Sequence, residues 1–226
     1  MRPRTRTRAV MTALAVLSIT ALSACAGFRG GWESVPYVGD APPAFPEAET
    51  AYEAQRRMEL TFPGLTLGVG LGNRLRTYDT QVYLFVLPLS VDPRHVSTQS
   101  VGPDTTRVSL RVTAADPGYV FHPQRARLTV EGQTVVGKAG FEFGMWDPTG
   151  ERVASGGKWD HRPIVDARAL TEPGRSYLLS IDFPMKAPSP ESKGIELDLS
   201  EALRAPDRPA LPLIRFAPVR WKEGYT

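Results

Sequence analysis

The sequence predicts an all-β protein: an antiparallel β-sandwich of nine or ten short strands, immunoglobulin-like or transthyretin-like. Three observations predict it. Apolar residues recur with period two over most of the chain after Met58. Residues with hairpin and turn chemistry separate these runs. Only residues 47–57 read as a helix, and a short one.

The N-terminal segment comes first. Residues 1–8 carry Arg2, Arg4, Arg6 and Arg8 and no acid. Residues 9–22 carry no charge, and Ser23, Ala24, Cys25, Ala26 and Gly27 are small. This is the charged, apolar and small-residue order of a secretory signal. The arginines stay on the cytoplasmic side while the apolar stretch partitions into the bilayer. Leu22-Ser23-Ala24-Cys25 resembles the lipobox of bacterial lipoproteins at all four positions. The resemblance implies cleavage between Ala24 and Cys25, removal of residues 1–24 as signal peptide, and lipidation of Cys25. It covers only the first 25 or so residues. The competing reading is an uncleaved helix, since residues 9–28 are just long enough to span a bilayer. Thr12, Ser18, Thr20 and Ser23 interrupt that run. In the lipoprotein class an aspartate after the cysteine commonly signals inner-membrane retention. Ala26 stands there, which implies the outer membrane where the cell has one.

Residues 25–46 read as the lipidated cysteine and a tether. Gly27, Gly30, Gly31 and Gly39 loosen it, and Pro36, Pro42, Pro43 and Pro46 stiffen it. A flexible chain of this length spans on the order of 25 Å. Residues 47–226 form one domain. In the predicted helix Pro46 sits near the first turn, and Glu53 and Arg57 pair at i,i+4.

Then the strands follow. Met58, Leu60 and Phe62 alternate with Glu59 and Thr61. Leu65, Leu67, Val69 and Leu71 alternate with Thr66, Gly68 and Gly70. Residues 82–87 are apolar throughout and read as a central strand. Val108, Leu110 and Val112 alternate with Arg107, Ser109 and Arg111. Phe141, Phe143 and Met145 alternate with Glu142 and Gly144. Tyr177, Leu179, Ile181 and Phe183 share a face opposite Ser180 and Asp182. Ile195, Leu197 and Leu199 alternate with Glu196 and Asp198. Each run buries one face and wets the other. Glu131-Gly132-Gln133 marks a tight hairpin. Asp147-Pro148-Thr149-Gly150 has type I chemistry, and Gly174 after Glu172-Pro173 supplies the positive φ of a type II turn. Pro218 interrupts the last run, residues 213–221, and predicts an edge strand or a bulge.

Charge excludes one class of partner. The chain has 27 Lys plus Arg against 24 Asp plus Glu, with an isoelectric point near 9.1. Removing residues 1–24 takes four arginines and no acid, leaving 23 against 24, a net charge of −1. No general pull toward nucleic acid remains. Cys25 is the single cysteine, so the body has no disulfide and is held by its core.

Motifs for chemistry are mostly missing. There is no Gly-x-Ser-x-Gly, no His-Glu-x-x-His and no phosphate-cradling glycine loop. His95, His122 and His161 lie far apart in sequence and form no local zinc pattern. His122 reads as a strand-end residue and His95 as a loop residue. No cofactor, metal or catalytic residue is implied. The richest stretch is 155–175, read as a long irregular connection with Trp159, Asp160, His161 and Arg162, then Asp166 and Arg168. Trp159 suits stacking on a sugar or anchoring a protein partner. The plainer reading packs Trp159 on the sheet and pairs the charges at the surface. Residues 92–104 form a second polar connection. Trp146 falls out of phase with Phe141, Phe143 and Met145, and Trp221 reads as a core plug.

The sequence therefore points to a membrane-anchored envelope lipoprotein, a protein-interaction or assembly module rather than an enzyme. The alternative is a lipid-anchored glycan- or solute-binding protein using 155–175. A hydrolase built on Asp160, His161 and Asp166 ranks third. The expected partners are a membrane, through lipid on Cys25, and an envelope protein.

Overall fold

A computed structural model describes residues 26–82, 95–96 and 102–225. Cys25 and the signal segment lie outside them, as do 83–87 of the expected central strand and most of 92–104.

The elements run β1 (Ala26–Val38), α1 (Ala51–Arg57), β2 (Glu59–Phe62), β3 (Leu65–Gly70), β4 (Leu75–Val82), β5 (His95–Val96), β6 (Thr106–Ala114) and β7 (Tyr119–Phe121). A 3-10 turn at Pro123–Arg125 precedes β8 (Arg127–Val130), β9 (Gln133–Val136), β10 (Ala139–Trp146), β11 (Arg152–Val153), β12 (Lys158–Ile164) and β13 (Arg168–Leu170). β14 (Ser176–Phe183), β15 (Glu196–Asp198), β16 (Leu203–Arg204) and β17 (Ile214–Tyr225) complete the chain. One sheet has the order β5-β4-β1-β17-β15-β8-β9. The second has the order β11-β10-β14-β6-β3-β2, with β12 also on β10, and β13-β7-β16 form a third. All named strand pairs are antiparallel. The sandwich-like all-β class is as expected. The nine or ten strands become seventeen among the described residues, because several pairings are only two or three residues long.

One apolar cluster joins the sheets. Leu67, Val69, Val108, Val112, Leu179, Ile181 and Phe183 meet Leu128, Leu197 and Ile214, with Phe121, Leu170 and Leu203 from the small sheet. Period two thus places the core correctly in β3, β6 and β14. Each large side chain removed from water contributes about 1.5–3 kcal/mol. The turns also follow their chemistry. Val130 and Gln133 close a two-residue loop over Glu131 and Gly132, at φ 51° and 84°. The Gly150 amide donates to the Asp147 carbonyl at 3.0 Å, and Gly174 has φ 71°.

Residues 26–38 correct the expected tether. They form the longest strand, β1, held between β4 and β17. Two of the glycines that read as loosening, Gly30 and Gly31, are steric necessities. A Cβ on Gly31 would collide with the Leu75 carbonyl, and one on Gly30 with Tyr78. The register between β1 and β4 slips between these two glycines, as at a β-bulge.

Pro218 is corrected too. β17 is a central strand, and its register with β1 is unbroken across Pro218. On its other side β15 pairs only with Ile214 and Arg215, and Ala48 bridges Trp221. Pro218 falls in the gap between them, where a missing N–H breaks no ladder bond.

The helix starts at Ala51, not 47. Thr50 and Glu53 form a capping box, with the Glu53 amide donating to Thr50 Oγ1 at 3.1 Å and the Thr50 amide to Glu53 Oε2 at 3.0 Å. Arg57 reaches the buried carboxylate of Glu33 on β1. Arg74 Nε stands 3.8 Å from the same carboxylate, and its guanidinium lies 3.5 Å from the centroid of the Trp221 ring. Burial pushes Glu33 above the usual carboxylate range, outweighing the pull of both arginines. Trp221 is a core plug, 4 % exposed.

Gly31→Ala should destabilise the fold by about 3 kcal/mol through overpacking. Gly224→Ala, where a Cβ meets only ordinary contacts, should stay within about 0.5 kcal/mol. Urea unfolding followed by tryptophan fluorescence measures both, and equal stabilities would contradict the steric account of the bulge.

Candidate functional site

The expected irregular stretch 155–175 is corrected to two strands, β12 and β13. β10 pairs with β14 over Ala139–Phe143 and with β12 over Gly140–Trp146, so these lie on opposite edges of β10. Among the described residues β12 pairs with nothing else. It is an edge strand, and its run of charges with Pro163 is what edges commonly carry.

An edge strand sorts its side chains alternately. Trp159 and His161 stand opposite Met145 and Phe143, while Asp160 and Arg162 stand opposite Gly144 and Glu142. The four candidate residues are therefore divided between two faces. His161 packs on Phe141 and Phe143, at ring-centroid distances of 5.2 and 5.5 Å. Trp159 is 57 % exposed.

The face of β10 is the reverse of the expected one. Gly140, Glu142 and Gly144 are buried, whereas Phe141, Phe143 and Met145 are half-buried on the outer side. The cause lies in the charges. Glu142, 3 % exposed, takes Arg152 at 2.8 Å and Arg168 at 2.6 Å. Those arginines come from β11 and β13, and with Arg175 they surround the Tyr177 ring. On the outer side Arg107 makes a bidentate pair with Asp182, at 2.6 and 2.8 Å, and lies over Phe141 and Phe143. That roof buries Ser180 and Asp182, both expected to be wet.

The outer face of the second sheet carries a groove. One row crosses six strands: His161, Phe143, Leu178, Arg111, Gly68 and Glu59. The next runs Phe141, Ser180, Ser109 and Gly70. Gly68, Gly70 and Ser109 keep the floor low, and nothing would meet a Cβ at Gly70 within 4 Å. Trp159 and Phe143 wall one end, and Gln55, Met58 and Glu59 the other. The space is about 590 Å³, within the range of small-ligand clefts. Arg107 and Arg111 line it, and Arg111 lies 3.9 Å from Glu59.

A second hollow of about 450 Å³ lies on the other side of β12. Glu142, Trp146, Arg152, Arg162, Asp166 and Arg168 line it. Arg162 covers the Trp146 ring at 5.3 Å, and Trp146 Nε1 donates to the Asp160 carbonyl at 3.2 Å. Asp160 accepts from the His161 amide at 2.8 Å, which holds its carboxyl below the usual range. His161 Nδ1 is 3.4 Å from the same oxygen, with both side chains about half exposed.

Of the other histidines, His122 directly follows β7 and donates its amide to the Ala202 carbonyl at 2.7 Å, and the His95 backbone lies in β5. Sequence reasoning singled out Trp159 but missed the groove below it. The signal was Gly68 and Gly70 at alternate positions of one strand, where glycine often marks close approach. The chain matches no protein-family model, no curated protein and no solved structure.

Glu142→Ala should cost about 3–5 kcal/mol, since it leaves two arginines facing an emptied acceptor site. Thermal and urea unfolding check this; a loss below about 1 kcal/mol would show that Glu142 does not hold β11 and β13 to the sheet.

Proposed function

We propose that this protein is a lipid-anchored envelope lipoprotein whose sandwich binds a glycan in the groove beside Trp159. The anchor rests on the resemblance of Leu22-Ser23-Ala24-Cys25 to a lipobox behind an apolar signal. The binding reading rests on one observation: an exposed Trp159 flanks a groove of about 590 Å³ floored by Gly68, Gly70 and Ser109. An indole face suits the apolar face of a sugar ring. Gln55, Glu59, Arg107, Ser109 and Arg111 supply donors and acceptors along the rest of the groove. The ion pairs of Arg107 with Asp182 and of Arg111 with Glu59 keep these two arginines oriented before a ligand arrives, which lowers the entropy cost of binding.

A second reading, protein interaction or assembly, is favoured by β12 itself. It is an edge strand paired only with β10 among the described residues, and such edges accept a partner's strand. Pro163 limits that pairing to one part of the edge.

One experiment tests the anchor and a second separates the two readings. Cys25→Ser should abolish lipidation and processing at this site, read by intact mass; normal cleavage and full solubility of that mutant would sink the anchor. Titration with hexose and N-acetylhexosamine oligosaccharides, followed by tryptophan fluorescence, should show saturable binding. Trp159→Ala should weaken it roughly three- to tenfold, the worth of an aromatic stack. Binding unaffected by Trp159→Ala would place the ligand elsewhere. Failure of every oligosaccharide, with β12-directed cross-links to an envelope protein, would favour the second reading.

A further inference from the structure

Among the described residues lining the groove on the second sheet, the charged ones are Glu59, Arg107 and Arg111. Each has a partner of opposite sign. Asp182 holds Arg107 in a bidentate pair at 2.6 and 2.8 Å, and both side chains are largely buried. Arg111 and Glu59 approach one another across Gly68, which stands opposite both in the sheet. A Cβ on Gly68 would lie 3.2 Å from the Arg111 Cβ, so glycine there leaves Arg111 room to cross β3. Arg111 Nη1 and Glu59 Oε1 are 3.9 Å apart, with the side chains 44 % and 39 % exposed. That is too long for a hydrogen bond, and an exposed pair of this kind adds little to stability. Neither group spends its hydrogen bonds on the other, so both face the groove with donors and acceptors to offer.

We propose that the groove selects uncharged sugars, with Arg111 and Glu59 as its specificity-determining pair. The inference rests on the glycan reading of this groove and adds the class of sugar it takes. A guanidinium only donates and an ionised carboxylate only accepts, whereas a sugar hydroxyl does both. Neighbouring hydroxyls therefore accept from Arg111 and donate to Glu59 at once, and bonds to ionised partners are the stronger kind. A charged sugar meets a penalty whichever sign it carries. A uronate turned toward Arg111 brings its charge beside Glu59. An ammonium turned toward Glu59 brings its charge beside Arg111. Such like-charge encounters reject wrong partners. Arg107 leaves this balance unchanged, because Asp182 offsets its charge. Trp159 lies three strands from Arg111, through β10 and β14, which is roughly 14 Å. Stacking at one end and hydroxyl recognition at the other thus address different parts of one ligand.

The test titrates the full chain with matched oligosaccharides, followed by tryptophan fluorescence. Each backbone, glucose and galactose, is used in a neutral form (hexose or N-acetylhexosamine), as the hexuronate and as the hexosamine. The pH keeps the acid ionised and the amine protonated. Neutral members should bind at least about fivefold tighter than either charged counterpart, the effect of one like charge near 4 Å in water. Glu59→Gln should raise uronate affinity relative to neutral by a similar factor, and Arg111→Gln should do the same for the hexosamine. A variant that fails to fold loses all members together, so the ratio within one variant carries the result. Charged members binding as well as neutral ones, or either ratio unmoved by its variant, overturns the selectivity. Trp159-dependent binding would then still support the glycan reading. Binding by no member of the panel overturns both.

Discussion

Twelve consecutive register pairs join β1 to β17, from Gly27 with Tyr225 to Val38 with Ile214. The rest of the architecture hangs on this ladder. It brings the first described strand against the last and makes them the centre of a seven-stranded sheet. It closes long loops, whose entropic cost grows only slowly with length. The chain has no disulfide to do that work. The ladder also tolerates the poor strand formers it contains. Gly30 and Gly31 allow β4 to approach where a side chain would clash, and Pro218 sits where no ladder bond is lost.

Charged groups inside the body act as joints between elements that share a short ladder or none. Glu33 ties α1 to β1 through Arg57, and Arg74 spans from that carboxylate to Trp221 on β17. Glu142 ties β11 and β13 to β10 through Arg152 and Arg168. Such groups are costly to desolvate, so their net stabilisation is small. Removing one partner, however, strands the other. They therefore specify which short segment docks where more than they add to total stability. Burial raising the pKa of Glu33 despite two arginines shows that desolvation is the larger effect at that joint.

What the sequence made legible follows from this division. Alternation in β3, β6 and β14 is a local property, and it places the core without reference to partners. The turns at 131–132, 147–150 and 172–174 depend on a few adjacent residues and were equally readable. β1 was not, because its glycines are permitted by neighbours distant in sequence. The face of β10 was not, because pairing of Glu142 with Arg152 and Arg168, 10 and 26 residues on, overrides the apolar preference of Phe141 and Phe143. Trp159 stood out as a large aromatic in a charged stretch. The groove beside it did not, since it is built across six strands from residues whose common trait is small size.

The inverted face of β10 is also what makes the candidate site. Had Phe141 and Phe143 turned inward, the outer side of the second sheet would present glycine and a carboxylate, without an aromatic wall. Drawing Glu142 inward turns the rings outward, where Arg107 covers part of them and His161 packs against both. Trp159 then follows on the neighbouring strand, one alternation beyond His161, and remains exposed beside the glycine floor. A buried charge on one side of a strand and an aromatic surface on the other are thus two consequences of the same pairing. The residues that fix the fold at this edge and those that shape the groove are alternate members of a single strand.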